Sequence, residues 1–349
     1  MSNPRVTPRI IPRDAPHAVV TAVIPVHNRA DLLAGLLDSI AAQATPFAET
    51  IVVDNASTDG AADLARARGC RVISLAENAG FARAVNIGWR AAASSDWIAI
   101  LNSDVVLDPR WLELLVVAAG GSGFAVGTIF DATDRQAIDG TYDLLSRAGC
   151  AWRAGHGDRS PGEAKPAPLA PSIIAIAPAT ACLFRRDVLD RLGGFDETFE
   201  SYLEDVDLGL RCVREGIRGT WVPAAVAWHH GSATLGRWNP RVVRLISRNQ
   251  LLLVRRHYDR DLFRACFWPI VAGQLLWGVV ALRHGAPLAW LAGKYDALRS
   301  FRLEGHTSPR LHAFLAASEN EIRLRARDAY WRWYFRLTSP FAGTSGAAH

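Results

Sequence analysis

Residues 98–108 read IAILNSDVVLD, an apolar run that ends abruptly in Asn102, Ser103 and Asp104. A run this apolar between polar flanks predicts a buried central strand of a parallel sheet. Ligands of such sheets bind just beyond the carboxyl ends of the strands, so we expect Asp104 at the mouth of a site. A carboxylate and an amide oxygen two residues apart suit a hard divalent cation, although an ordinary polar turn has the same composition.

Three strand–loop–helix units precede this stretch. The pattern predicts strands at 19–26, 49–53 and 72–75 and helices at 30–42, 61–68 and 81–93. Strands that alternate with helices at this spacing predict an α/β fold with a doubly wound, mostly parallel sheet. The carboxyl ends of all four strands should therefore deliver polar loops to one edge of the sheet.

The four loops at this edge carry side chains that suit a nucleotide. They contain Pro25, Val26 and Asn28, then Asp54 and Asn55, then Asn78, Gly80, Phe81 and Arg83, and finally Asn102, Ser103 and Asp104. A carboxylate there can accept hydrogen bonds from a base or ribose, while helix N-termini and Arg83 face a diphosphate. None of the loops is a P-loop or a G-x-G-x-x-G loop, which disfavours an ATPase or a dehydrogenase.

The chain after this edge is less regular. A strand is predicted at 124–130, and residues 131–171, rich in Gly, Pro, Arg and Asp, are interpreted as a long irregular excursion, a mobile lid or an acceptor-side loop. Strands at 172–177 and 181–184, a helix at 203–215 and two closing strands at 219–222 and 225–228 follow.

From residue 240 the pattern predicts helices only, at 241–257, 259–283, 287–301 and 309–338. Residues 265–282 are apolar at the lower limit of a membrane span, but Pro269, Gly273, Gln274 and Gly278 weaken that interpretation. An interfacial amphipathic hairpin remains open, with Trp268, Trp277 and Trp290 near headgroup level and arginines at its flanks, Arg255 and Arg256 among them. A soluble helical cap remains open beside it.

Charge and cysteine content narrow the class of protein. Formal charge is +5, and from Arg241 to Arg336 basic residues outnumber acidic ones by 17 to 7, which suits anionic lipid or a plain basic surface. The basic residues are dispersed along amphipathic helices, which disfavours a nucleic-acid partner. Five scattered cysteines indicate neither a zinc site nor disulfides, and hence a reducing compartment. Residues 1–18 lack the apolar core of a signal peptide and are predicted to be a disordered leader, so the chain is expected in the cytoplasm.

At this point the chain resembles a known family, the inverting GT-A fold glycosyltransferases of family 2, especially the bacterial branch with rhamnosyltransferases and galactofuranosyltransferases. The resemblance covers residues 19 to about 234, in the family's order. It rests on VIPVHNR (23–29), IVVDNASTDG (51–60), NAGFARAVNIG (78–88), LNSDVVLDP (101–109), LGGFDETF (192–199), LEDVDLGLR (203–211) and HHGSAT (229–234).

The resemblance implies a donor site and a metal site. Asp54 would contact the nucleotide base, and Asn86 and Asp196 lie in motifs that contribute to donor binding. Asn102 and Asp104 would occupy the Asp-x-Asp metal motif, in which Asn102 departs from the first Asp. His229 would complete the shell of a Mg²⁺ or Mn²⁺ ion, with His230 as its possible replacement.

The resemblance also implies that Asp205, preceded by Glu204, is the general base of a single displacement. In that reaction an acceptor hydroxyl loses its proton as it attacks the anomeric carbon, and a positioned carboxylate typically contributes about 10²- to 10⁴-fold. A divalent ion neutralises the diphosphate leaving group, which then needs no proton. By position alone, the commoner explanation of Asp205 is an acidic residue stabilised at the start of a helix.

The leading hypothesis is therefore a transferase that moves a sugar from a nucleotide-diphosphate sugar to a glycan or lipid-linked acceptor during cell-surface polysaccharide synthesis. The resemblance to this branch favours dTDP-rhamnose as the donor, with UDP-sugars next. Residues 19–239 are predicted to be the catalytic domain. Residues 240–349 are predicted to be a helical extension, for which peripheral contact with the inner face of the membrane is expected and a soluble cap stays the alternative. A glycoside hydrolase that uses Glu204 and Asp205 is one alternative, and a nucleotide-sugar-binding protein without catalysis is the other.

Overall fold

The computed structural model describes residues 18–159, 170–231, 238–299 and 301–338. The predicted leader, except its last residue, lies outside the described residues, as do the end of the HHGSAT motif and part of the predicted excursion. In chain order the strands are β1 Val20–Val26, β2 Glu49–Asp54, β3 Arg71–Ser74, β4 Trp97–Leu101, β5 Val105–Leu107, β6 Phe124–Asp131, β7 Ile138–Gly140, β8 Asp143–Leu145, β9 Ala151–Arg153, β10 Ser172–Ile174, β11 Ala181–Arg185 and β12 Gly219–His229.

The helices alternate with the strands in the first half of the chain and stand alone at its end. They are α1 Ala30–Ala41, α2 Ala61–Ala67, α3 Phe81–Ala91, α4 Trp111–Ala119, α5 Arg186–Leu192, α6 Glu204–Glu215, α7 Pro240–His257, α8 Arg260–Arg283, α9 Pro287–Leu298, α10 Pro309–Arg325 and α11 Ala329–Leu337. A short 3₁₀ turn, Glu197–Phe199, precedes α6.

The main sheet has the order β10-β12-β6-β11-β4-β1-β2-β3, with β5 beside β12 and β7 beside β6. Strands β4, β1, β2 and β3 run parallel, so Val23 of β1 pairs with Ile51 on one side and Ile100 on the other. Strands β4, β1 and β2 are largely buried on both faces because α1 and α4 cover one side and α3 the other, whereas β3 lies at the edge of the sheet and is partly exposed. The prediction of an α/β fold with a mostly parallel sheet and a common loop edge is confirmed.

Three details of the sequence prediction are incomplete or wrong. The strand predicted to end at the polar residues Asn102–Asp104 does end there, as β4, but the residues beyond this turn form a second strand, β5, which pairs antiparallel with β12. The two closing strands are one strand, β12, with a register shift between Trp221 and Val226. The last helix is two, since α10 ends at Arg325 and Asp328 begins α11 by accepting a hydrogen bond from Trp331 N.

The excursion predicted at 131–171 is ordered over its described part. Residues 131–159 add β7 to the main sheet and form the β8–β9 hairpin, whose connecting residues 146–150 are buried. The backbone N–H of Leu145 donates to Ser318 Oγ at 2.7 Å, and Tyr258 Oη donates to the Arg147 carbonyl at 3.1 Å. Strands of three residues carry too little periodicity to be recognised from sequence, and their burial depends on helices that come over a hundred residues later.

The C-terminal helices pack onto this hairpin and onto α6. Leu145 of β8 and Val206 of α6 lie in one hydrophobic cluster with Leu251 of α7, and a buried ion pair joins Arg147 to Glu319 of α10. The helical region therefore shares a core with the residues around the sheet. The division into units 19–239 and 240–349 stays a prediction.

Candidate active site

The edge of the sheet at which the parallel strands β1 to β4 have their carboxyl ends is called the parallel-strand edge. Two loops at this edge are fixed to each other by amide side chains. Asn55 Nδ2 donates to Asn78 Oδ1 at 3.0 Å and to the Gly80 carbonyl at 3.2 Å, and Asn55 Oδ1 accepts from Ala79 N at 2.7 Å. The Asn28 backbone N–H donates to Ser57 Oγ at 2.9 Å. The structure thus brings Asn28, Asn55 and Asn78 together as a preformed edge.

Asp54 lies at the end of β2, buried, where its Oδ1 accepts from Ser57 N at 3.0 Å. Pro25 and Val26 end the neighbouring strand, and Val26 pairs in register with Asp54. The residues assigned to the nucleotide on β1 and β2 are therefore adjacent, although their contact with a nucleotide stays a prediction.

The start of α3 touches the turn that precedes α6. Gly80 has φ +84°, and a Cβ there would lie 2.9 Å from the Glu200 carbonyl oxygen, so only glycine fits. Phe81 N donates to Ser201 Oγ at 3.2 Å. Arg83 is exposed with its Nε 4.0 Å from Glu197 Oε2, so the guanidinium stays accessible from solvent.

Asn86 and Asp196 position that same region. Asn86 is 1% exposed; its Nδ2 donates to the Phe195 carbonyl at 2.8 Å and its Oδ1 accepts from Phe195 N at 2.9 Å. Asp196 Oδ1 accepts from Thr198 N at 2.9 Å, and Oδ2 pairs with Arg256 at 2.7 Å. These contacts favour a positioning role, and direct donor contact by either residue stays a prediction.

The turn after β4 carries the predicted metal residues. Asn102 N donates to the Thr180 carbonyl at 2.9 Å, and the buried Asn102 Oδ1 has no hydrogen-bond partner among the described residues. Asp104 Oδ1 lies 3.3 Å from His229 Nε2, while His230 is exposed and reaches Asp104 only through its backbone N–H. The arrangement brings Asp104 and His229 together and favours His229 over His230.

Sequence reasoning missed a third residue of this group, Asp139 of β7. Its Oδ2 lies 2.9 Å from His229 Nδ1, so His229 bridges two carboxylates. Burial disfavours the charged imidazole, but hydrogen bonds to Asp104 and Asp139 outweigh it and raise the pKa of His229 to about 9. The only sequence signal was a pair of carboxylates, Asp139 and Asp143, four residues apart around Gly140.

The donor set fits a divalent ion that is shared with phosphates. Within residues 18–159, 170–231, 238–299 and 301–338, no three His, Cys, Asp or Glu side chains are arranged to hold a metal ion by themselves. Asp104 and His229 offer one carboxylate oxygen and one imidazole nitrogen, and the unpartnered Asn102 Oδ1 follows the same strand. Such a pair suits an ion whose other ligands are phosphate oxygens and water.

Asp205 begins α6 close to this turn. Its Oδ2 accepts from Ala179 N at 3.1 Å and its Oδ1 from Val206 N at 2.8 Å. Ala179 is adjacent to Thr180, whose carbonyl binds Asn102, so the predicted base and the metal turn are joined through one short segment. Burial, aided by Asp143, raises the pKa of Asp205 to about 6 against the opposing influence of Arg153.

Glu204 has different surroundings. It is 5% exposed, and its Oε2 has no hydrogen-bond partner in the described part of the chain. Burial and the neighbouring Asp205 raise the pKa of Glu204 well above its ordinary value. Burial thus disfavours the ionised form of Glu204, whereas Asp205 has two backbone N–H donors that stabilise its carboxylate, which favours Asp205 as the proton acceptor.

The β8–β9 hairpin supplies the charges that face Asp205, which sequence reasoning also missed. Arg153 of β9 forms an ion pair with Asp143 of β8 at 3.0 Å. Gly140 makes room for it, because a Cβ at 140 would lie 2.2 Å from Arg153 Cδ. The described part of the segment interpreted as a lid or an acceptor-side loop therefore packs beside Asp205.

The turn before α6 is strained. Glu200, Tyr202 and Leu203 have φ values of +61°, +70° and +67°, a conformation that costs energy in residues other than glycine. Asn249 of α7, fully buried, holds the turn: its Nδ2 donates to the carbonyls of Phe199, Ser201 and Tyr202 at 3.0, 3.0 and 2.7 Å. Nothing in the sequence around Asn249 signals this role.

Comparison with known proteins adds family matches. Residues 21–193 match the sequence model described as Glycosyl transferase family 2, and residues 164–318 match that described as Glycosyl transferase family 21. The first range contains the whole parallel-strand edge, and the second contains Glu204, Asp205 and His229.

Curated relatives are similar over the same region. The chain is 32% identical over 228 residues to the O-antigen biosynthesis protein RfbC of Myxococcus xanthus, covering 62% of this chain and 17% of that protein. It is 30% identical over 235 residues to the pre-mycofactocin glycosyltransferase of Mycobacterium tuberculosis, covering 66% and 46%. It is 29% identical over 208 residues to the N-acetylglucosaminyl-diphospho-decaprenol L-rhamnosyltransferase of that organism, covering 54% and 68%. The match thus spans under half the length of the first two relatives.

Solved structures share the fold. The mannosyltransferase PcManGT from Pyrobaculum calidifontis, solved with GDP-Man and Mn²⁺, has a TM-score of 0.50 and 19% identity over 91% of this chain and 83% of its own. GalNAc-T7, solved with UDP, GalNAc and Mn²⁺, has a TM-score of 0.59 and 14% identity over 83% and 59%. At this identity the likeness concerns architecture, and it confirms the predicted GT-A fold.

Proposed function

We propose, because the chain belongs to glycosyl transferase family 2 and to its rhamnosyltransferase-like branch, that it moves a sugar from a nucleotide-diphosphate sugar to an acceptor hydroxyl with inversion. The observation that carries the proposal is the link from Asp205 through Ala179 and Thr180 to Asn102, which joins a buried carboxylate to the turn bearing Asp104. A proton acceptor and an anchor for the leaving group then belong to one site.

The parallel-strand edge would bind the nucleotide. Asp54 at the end of β2 is placed to accept hydrogen bonds from a base or ribose, and the exposed Arg83 to pair with the diphosphate. Asn55 and Asn78 keep their loops in place and leave the edge open.

Asp104 and His229 would hold the divalent ion. Imidazole is a better ligand for Mn²⁺ than for Mg²⁺, so the pair favours Mn²⁺. When bound, the ion neutralises charge on the departing diphosphate. Asp139 would keep Nε2 of His229 directed at the ion, because a carboxylate on one imidazole nitrogen fixes the orientation of the other.

Asp205 would accept the proton of the acceptor hydroxyl. The hydroxyl oxygen forms a bond to the anomeric carbon while the bond from that carbon to the phosphate oxygen breaks, and the proton passes to a carboxylate oxygen of Asp205. With a pKa of about 6, Asp205 is ionised at neutral pH and still basic enough for the task. Glu204 beside it is less suited to the task, because burial raises its pKa well above the ordinary value.

Relatives support the direction of the substrate proposal. One is an L-rhamnosyltransferase and another an O-antigen biosynthesis protein, which favours rhamnose from a dTDP-sugar, then UDP-sugars, and a glycan or lipid-linked acceptor in surface polysaccharide synthesis. Such an enzyme would act at the inner face of the membrane. A glycoside hydrolase would leave the four loops without a use, and a non-catalytic sugar-nucleotide binder would leave the placement of Asp205 without one.

A donor screen tests the proposal. Release of nucleoside diphosphate from dTDP-rhamnose, UDP-sugars and GDP-mannose would be measured with Mn²⁺, with Mg²⁺ and with EDTA. We expect one donor to be used in the presence of Mn²⁺, and Asp104→Ala to remove that activity because the ion loses a main protein ligand. Asp63→Ala, an exposed carboxylate on α2, is the matched control. Activity that survives both EDTA and Asp104→Ala would contradict the metal assignment.

A further inference from the structure

Helices α8 and α9 carry large apolar side chains that no part of the described chain covers. On α8 these are Trp268, Leu275, Val279 and Leu282, and on α9 they are Leu288, Leu291, Tyr295 and Leu298. Their exposed fractions run from 52% at Leu291 to 79% at Leu288. The spacings of three, four and seven residues place each set on one side of its helix.

The two sets lie on the same side of the helix pair. The short turn 284–286 joins α8 to α9, so neighbouring helices run antiparallel. They touch where Trp290 packs over Gly278, since a Cβ at 278 would lie 2.8 Å from the indole. Gly278 and Trp290 mark the line along which the two helices touch. With about 100° of rotation per residue, the exposed side chains of each helix lie on the same rotational side of that line when each helix is viewed from its N-terminus. In an antiparallel pair that arrangement puts both sets on one face, which we call the α8–α9 face.

Helix α8 is long and apolar enough to cross a membrane by length and composition, but 44% of its most apolar window is buried in the protein. The buried side is specific: Gln274 Nε2 donates to the Ala148 carbonyl at 2.8 Å, and Cys266 and Ile270 lie in the core with Leu145. A spanning α8 would abandon these contacts. The arrangement favours a helix that lies along a surface with one side in the protein.

Exposed cations surround the apolar side chains. Arg283 lies at the tip of the helix pair, Arg299 caps the end of α9, and Arg264 is exposed on α8. Helix α11 adds the exposed Arg332 and Arg336, and its Leu337 carbonyl accepts a hydrogen bond from the indole N–H of Trp268 at 2.7 Å.

Two groups named in the sequence prediction are placed differently from the exposed arginines. Arg255 and Arg256 are half-buried and pair with Glu304, and Arg256 also pairs with Asp196, so their guanidinium groups are engaged within the protein. Of the three predicted interfacial tryptophans only Trp268 is exposed; Trp277, for example, donates to Ser247 Oγ at 3.0 Å.

We propose that the α8–α9 face docks on the surface of an anionic phospholipid bilayer. A bilayer offers an apolar interior to the leucines and anionic headgroups to the arginines, with the boundary between them suited to Trp268. A second copy of the chain would instead bring like-charged rims together. The inference concerns where the chain works and does not depend on its chemistry.

Vesicle flotation tests the proposal without any donor or acceptor. The full chain would be mixed with vesicles of phosphatidylcholine and phosphatidylglycerol at three to one, and the bound fraction measured at low salt and in 0.5 M NaCl. We expect binding that persists in part at high salt, because salt screens the arginines and not the apolar contact. Leu282→Ser/Leu288→Ser should lower the partition coefficient at least tenfold.

The matched control is Val117→Ser/Ile173→Ser, which removes two exposed apolar side chains from α4 and β10. It should bind as the parent does, and circular dichroism would verify that both double variants fold. Arg283→Gln/Arg299→Gln should reduce binding to these anionic vesicles and leave binding to vesicles of phosphatidylcholine alone unchanged. The proposal is overturned if the parent chain stays out of the floated fraction at low salt, or if the control loses as much binding. A concentration-dependent dimer that Leu282→Ser/Leu288→Ser dissociates, without vesicle binding, would also overturn it.

Discussion

The parallel-strand edge and the turn before α6 supply the two halves of the site by different physical means. At the edge, Asp54 ends a strand that is buried on both faces and Asp104 follows another, so the sheet itself sets their positions. Before α6, three residues hold left-handed backbone conformations, and Asn249 stabilises them from a helix far along the chain. One half is placed by local sequence and the other by distant packing.

This difference predicts how substitutions in each half of the site would affect function. A polar residue at the end of a buried strand cannot move without disturbing the sheet, so substitutions there act on the chemistry directly. A residue that follows a strained turn keeps its place only while other elements hold the turn. The proposed general base Asp205 belongs to the second kind, and the proposed metal ligand Asp104 to the first.

The largest effect is expected from Asp205→Asn, which removes the proton acceptor at constant size. The turnover rate should fall about 10²- to 10⁴-fold while the KM for the donor changes little, because the residues proposed to bind the diphosphate lie on the other half of the site. Because burial raises the pKa of Asp205 to about 6, kcat/KM of the parent enzyme should fall about tenfold per pH unit below pH 6. Steady-state kinetics across pH 5 to 8 would measure both.

Asp190→Asn is the control for that variant, since Asp190 is an exposed carboxylate on α5. It should leave both the rate and the pH profile unchanged. An Asp205→Asn enzyme that retains more than about a tenth of the parent rate would count against a general-base role.

The features that could be predicted from the sequence belong to the parallel-strand edge, and those that were missed belong to the parts placed by distant packing. The four strand-end loops and the pairing of Asp104 with His229 followed from motifs whose residues adjoin regular strands. Asp139 and Arg153 were missed because their strands are only three residues long, and periodicity over three residues carries no signal. Asn249 was missed because its function lies in three carbonyl groups about fifty residues earlier, a contact that no local pattern encodes.

The second prediction tests that long-range support. Asn249→Ala removes the three hydrogen bonds to the turn, and Asn249→Asp removes the donor while keeping the size. A shift of about 1 Å in a catalytic group costs up to about 10²-fold, so both variants should lower kcat by about 10- to 100-fold with little change in the KM for the donor. Kinetics and a thermal melt would be measured on the same samples.

Asn320→Ala, an exposed asparagine on α10, is the control for those variants. A purely structural role for Asn249 would lower the melting temperature and leave kcat of the folded enzyme unchanged. That outcome would show that the turn keeps its shape without the hydrogen bonds from Asn249, and the two halves of the site would then not differ in how they are held.

The smallest effect is expected at Asp139, which lies in the missed segment but acts on the predicted edge. Asp139→Asn should weaken Mn²⁺ binding about tenfold, because a partner on His229 Nδ1 fixes the orientation and raises the basicity of the nitrogen that would face the ion. Titration calorimetry with Mn²⁺ and nucleoside diphosphate reports this without turnover. Asp134→Asn, an exposed carboxylate shortly before β7, should bind Mn²⁺ as the parent does. Equal affinity for parent and Asp139→Asn would mean that Asp104 and the strand ends orient His229 unaided, so that the metal half of the site depends on local sequence alone.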